Sequence, residues 1–252
     1  MIMKAEDKKQ LKILGILVIV LALVSAINVF MPIPTQFEAL QQELPASKPV
    51  LALANLGIVL IIYSLLGLFG YYLSRKLNWP GIFSDKASKK ELFLKPIYIG
   101  LFLGLMVIVG DKIFSQFHSL GEFPHPAFPF SILASLGAGI GEEIIFKLFL
   151  LSFWAFVLGF FFKKYNKQNI VNWVAIIIAA VAFSASHLPA FMLLYGFASF
   201  AQIPAIIILE VFLLNGIIGV IAGREFIKYG LVAAIGIHFW TDIVWHVIYG
   251  LF

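Results

Sequence analysis

Residues 131–162 read SILASLGAGIGEEIIFKLFLLSFWAFVLGFFF. The run is longer than the roughly 20 apolar residues that cross a bilayer. Its only charges are Glu142, Glu143 and Lys147. A charge at the bilayer centre costs at least ~2.5–3.5 kcal/mol on insertion scales. A lone apolar helix would not carry three of them. The segment therefore predicts two things at once: a membrane span, and enough neighbouring spans to enclose a polar interior.

The rest of the chain supplies those neighbours. Of its 252 residues, 62% are hydrophobic and 12% charged, against about 45–50% and 25% in soluble domains. Spans are expected at 11–33, 50–74, 96–115, 129–162, 170–190, 203–222 and 230–252. The fourth is long enough for two helices or one long tilted helix, with Gly137, Gly139 and Gly141 as the expected break if it splits. The fold class is all-α, a polytopic transmembrane bundle of seven to eight spans. The charged start MIMKAEDKKQLK precedes an apolar run with no convincing cleavage site, so the first helix is read as retained. The chain has no cysteine, which excludes disulfides and thiolate metal sites. Gly219 and Gly223 form a small-xxx-small pair suited to close helix contact.

Fifteen of the 18 Lys and Arg residues fall in the N-terminal tail (Lys4 to Lys12), the 74–95 loop, the 163–169 turn and the 223–229 turn. These lie at one end of the expected bundle. The positive-inside rule puts that end, with the N-terminus, in the cytoplasm. The same bias accounts for the net charge of +5, and no nucleic-acid partner is implied. The expected partner is membrane lipid.

The candidate titratable groups within the spans are Glu142, Glu143, Lys147, His187, Glu210, His238, Asp242 and His246. At about 100° per helical residue, Glu143 and Lys147 share a face and can pair, whereas Glu142 points about a quarter turn away. His238, Asp242 and His246 share a face of the last helix, and His187 follows Phe183 by four. A carboxylate and two imidazoles brought from three helices are what water activation requires. Helix-packing histidines and a structural ion pair would leave the same pattern. His118 and His125 lie in the loop HSLGEFPHPAFPF and are read as surface or interfacial. Glu210 is read as a cavity or helix-packing group, and Trp154, Trp173, Trp240 and Trp245 as packing or interface residues.

Three ordered signatures run through this set: Glu142-Glu143-Ile-Ile-Phe-Lys147, Phe183-Ser-Ala-Ser-His187 and His238-Phe-Trp-Thr-Asp242. They resemble the motifs EExxxR, FxxxH and HxxxN/D of the CPBP intramembrane proteases, a family that includes type II CAAX prenyl endopeptidases and bacteriocin-processing or immunity proteins. The context GIIGVIAGREFIKYGLVAAIGIHFWTD is also similar. Lys147 stands where the family usually has Arg, and cannot form Arg's bidentate fork. The resemblance covers about 128–250, so 128–252 is read as the catalytic helical core and 1–127 as helices without diagnostic motifs.

The resemblance implies an intramembrane endopeptidase acting on a lipidated CAAX-type, prenylated-protein or membrane-associated peptide. It implies that Glu142 and His187 activate water, that His238 and Asp242 form the oxyanion side, and that Glu143 and Lys147 brace the first motif. Asp242, a carboxylate, is better suited to orienting His238. No cofactor is implied by the metal-free route. The alternative mechanism is Zn2+ held by Glu142, His187 and His238 with one open position. The rival functions are a non-catalytic scaffold or bacteriocin-immunity protein on the same fold, or a small proton-coupled transporter. At 1.5 Å per residue, Glu142 and His187 lie ~30 Å from the basic end and His238 only ~15 Å.

Overall fold

The computed structural model describes residues 5–32, 46–162 and 167–252. Lys4, Lys163 and Lys164, which entered the reading of the charge bias, lie outside them. The helices are α1 (Ala5–Asn28), α2 (Lys48–Lys76), α3 (Lys95–Phe114), α4 (Phe130–Glu143), α5 (Ser152–Phe162), α6 (Gln168–Ala185), α7 (Leu188–Tyr195), α8 (Ala205–Tyr229) and α9 (Leu231–Asp242). No strand occurs among the described residues. Seven helical rods are long and apolar enough to cross a membrane. Large side chains such as Leu53, Ile61, Leu65 and Phe102 are exposed on their outer faces. Water would not tolerate so much contiguous apolar surface, but lipid does. The protein is an integral, multi-pass membrane protein.

The fourth span does not split at its glycines. α4 and α5 form one rod, Phe130–Phe162. Its winding widens to a π-helix at Ile144–Leu151, just after Glu143. The final rod does the same at Ile243–Ile248, just after Asp242. Such wide turns are rare and gather at functional sites. In both rods the change begins at a motif carboxylate. The fifth span breaks instead at Ser186 and His187. Pro189 cannot continue α6, because its ring would clash with the preceding turn, but it fits the first turn of a new helix. His187 becomes the N-cap residue of α7, held at a bend rather than along a helix face.

The final rod, Leu231–Leu251, is the most buried of the seven. It packs against α3, α4 and α8. A Cβ added at Gly100 or Gly104 of α3 would come within 2.7 Å of the Ile237 carbonyl or 2.8 Å of the Thr241 carbonyl. Only glycine lets the two backbones lie this close. Gly219 serves the same end between α8 and α6, where a Cβ would sit 3.0 Å from Ala180 Cα.

The basic end of the bundle is closed. The 77–84 segment folds inward and buries Trp79, Ile82 and Phe83. Gln10 receives the Ile82 N–H at 2.8 Å and donates to the Phe83 carbonyl at 3.1 Å. The Leu231 and Val232 N–H groups donate to the Gly81 and Ile82 carbonyls. Gly230, at φ 96°, makes the turn from α8 to α9 against this segment. A Cβ there would lie 2.7 Å from Phe83 Cα. Arg75 with Glu6 and Asp7, and Lys95 with Glu225, rim this end with ion pairs.

Candidate active site

The opposite half of the bundle is hollow. A cavity of about 280 Å³ is lined by Glu142, His187, His238 and Asp242, together with Asp111, Glu210 and His246. The three sequence motifs therefore meet. Counting along the helices left Glu142 and His238 about 15 Å apart in depth, yet His238 Nε2 lies 3.9 Å from Glu142 Oε2. The α4–α5 rod has 33 residues, ~50 Å of helix against ~30 Å of hydrocarbon. Its basic end overshoots, so residue counts from that end misplace Glu142.

Glu143 is the hub beneath the cavity. Its Oε1 receives Lys147 Nζ at 3.1 Å and His238 Nδ1 at 3.0 Å, and Glu143 and Lys147 are fully buried. Lys147 Nζ also lies 4.5 Å from the Phe183 ring centroid. That ring packs edge-on against both His187 and His238, with centroids 5.0 and 5.4 Å away. One ammonium thus ties the first motif to the Phe of the second and, through Glu143, to the His of the third. A point charge fills the role without a guanidinium fork, since its second partner is a ring face rather than a second carboxylate oxygen. Helical spacing pairs Glu143 with Lys147 alone. Its bond to His238 crosses 95 residues and leaves no mark on local spacing.

The hydrogen bonds fix which nitrogens face the cavity. His187 Nδ1 lies 2.9 Å from the Phe183 carbonyl oxygen. A carbonyl only accepts, so Nδ1 carries the proton and Nε2 keeps its lone pair. His238 Nδ1 donates to Glu143, which leaves its Nε2 between Asp242 Oδ2 at 3.6 Å and Glu142 Oε2 at 3.9 Å. Asp242 thus stands beside the outward nitrogen, and Glu143 is the group that orients the ring. Glu142 Oε2 has no protein donor. The Glu142 side chain is 32% exposed, and α4 packs mainly on α1 and α9.

His118 and His125 are not surface residues. The loop between α3 and α4 folds back over the cavity. The His118 side chain is 2% exposed and its Nε2 lies 3.1 Å from Glu210 Oε2. His125 Nδ1 lies 3.2 Å from His246 Nδ1. Burial holds both loop imidazoles below the ordinary histidine value. The Phe123 N–H donates to Asp111 Oδ1 at 3.2 Å. Asp111 was absent from the candidates read in the sequence. It adjoins Lys112 at a helix end, where a charged pair reads as interfacial. Trp245 lines the cavity rather than anchoring an interface. Among the described residues, no group of three His, Asp or Glu side chains is close enough together to hold a metal ion.

Residues 124–244 match the sequence model of a family described as type II CAAX prenyl endopeptidase Rce1-like. No curated protein and no solved structure matches the chain.

Proposed function

Residues 124–244 belong to the type II CAAX prenyl endopeptidase Rce1-like family, and on that premise we propose that this protein hydrolyses a peptide bond inside the membrane with a water activated by Glu142 and His187. The observation that carries the reading is the common cavity, into which the unpartnered Glu142 Oε2 faces. The water lies between Glu142 and the free Nε2 of His187. Its oxygen attacks the peptide carbonyl carbon as its proton passes to Glu142. The carbonyl becomes an oxyanion, and protonated His238 Nε2 donates to it. Asp242 and Glu142 supply countercharge to that imidazolium. The carbon–nitrogen bond then breaks as the leaving amine takes the proton from Glu142. A donor preset by Glu143 and Lys147 needs no rearrangement during the reaction, which is where such sites gain most.

The N-terminus and the sealed basic end face the cytoplasm in this reading. The cavity then lies in the outer half of the bilayer. An apolar or lipidated peptide reaches Glu142 sideways, from the lipid. The test uses purified protein in liposomes with two probes, a farnesylated CAAX peptide and an unprenylated apolar peptide, in ¹⁸O-labelled water. One cut with a single ¹⁸O in the new carboxyl supports hydrolysis. Both peptides left intact would contradict it.

A further inference from the structure

We propose that Asp111 and Glu210 form a subsite of the catalytic cavity that takes a cationic group, a protonated amine or guanidinium, of the bound peptide. The peptide part of this statement rests on the protease reading above.

Both residues line the cavity, and both are fully buried. Their carboxyls lie within hydrogen-bond reach of each other. Two carboxylates cannot bond without something positive between them, either a shared proton or a cation. Asp111 Oδ2 and Glu210 Oε1 receive no donor from the protein. The other oxygens are committed, Asp111 Oδ1 to the Phe123 N–H and Glu210 Oε2 to His118. Among the described residues, no Lys or Arg forms an ion pair with either carboxyl; the neighbouring Lys112, close enough to act on Asp111, sits over the Tyr249 ring, 5.0 Å from its centroid. Glu122 bonds Tyr249. Burial holds His118 below the ordinary histidine value, and its Nδ1 has no partner. His246 and His125 meet each other nearby. The wall is thus acidic, with no cation paired to either carboxyl.

Uncompensated acid at membrane depth is costly. A proton shared by Asp111 and Glu210 lowers that cost when the cavity is empty. An arriving ammonium or guanidinium can displace the proton and satisfy the same oxygens with charge-assisted hydrogen bonds.

The test needs no substrate. Hexylammonium and hexanol share an apolar tail and differ in charge. Thermal unfolding of the purified protein in a neutral detergent should shift upward with hexylammonium and not with hexanol, since a ligand that binds only the folded state raises its melting point. The Asp111→Asn/Glu210→Gln double variant, or Glu210→Gln alone should the double variant not fold, should lose the shift. Glu142→Gln should keep it. No shift in the wild type, an equal shift with hexanol, or a shift lost in Glu142→Gln but kept in the Glu210 variants would overturn the proposal. These outcomes do not depend on cleavage, so an inactive protein that binds the amine would sink the protease reading and leave the subsite standing.

Discussion

The two ends of this bundle use buried polar groups in opposite ways. At the basic end the polar side chains that close the bundle have partners. Gln10 is satisfied on both sides, Tyr71 donates to Asp7, and Lys95 pairs with Glu225. At the other end Glu142, Asp111, Glu210 and His118 each keep an atom with no donor or acceptor, around open space. Satisfied groups rigidify a fold. Unsatisfied ones cost stability and are kept where water or a ligand completes them. The hub between them combines both kinds: Glu143 Oε1 receives Lys147 and His238, and Glu143 Oε2 has no partner.

The largest expected effect separates chemistry from folding. Glu142→Gln should reduce cleavage of a membrane peptide by about 10²–10⁴-fold, the contribution of a positioned general base, and leave the melting temperature within a degree or two of wild type. A large loss of stability would make Glu142 structural and erase the contrast. Glu143→Ala should do the reverse. It strands Lys147 without a countercharge and frees His238, so thermal unfolding should show a loss of about 3–5 kcal/mol. If Glu143→Ala folds like wild type, the hub is not what joins the two ends.

Smaller effects belong to the closed end. Gly230→Ala adds a Cβ against Phe83 at a positive φ and should cost more than about 1 kcal/mol, with specific activity per folded molecule retained. Arg75→Ala removes partly exposed ion pairs with Glu6 and Asp7 and should cost only about 0.2–1 kcal/mol. A loss of turnover in either variant beyond the loss of folded protein would show that the closed end takes part in catalysis.

The bundle could be read from the chain because apolar run length and Lys/Arg bias are local properties. All seven expected spans agree with the observed rods to within seven residues at each end, and α1 begins earlier than expected because Glu6 and Asp7 suit the positive end of a helix dipole. Glu142, His187, His238 and Asp242 were legible as a set through their three spacings. What stayed hidden depends on tertiary contact. The loop holding His118 and His125 is polar and Pro-rich, which reads as surface, and only its bonds to Glu210 and His246 draw it inward. The π turns after Glu143 and Asp242 follow from packing, and no residue in either stretch announces them. Asp111 lies on α3, before the region shared with the family, so neither motif nor match pointed to it.

The central claim, that the catalytic groups occupy a water-filled cavity away from the basic end, has a direct test. The native chain has no cysteine, and Ala138 lines the cavity one helical turn from Glu142. Ala138→Cys places a single thiol there, to be reacted with a membrane-impermeant maleimide in intact cells and in inverted vesicles. The account predicts labelling in intact cells and little in inverted vesicles. Labelling only in inverted vesicles would contradict it.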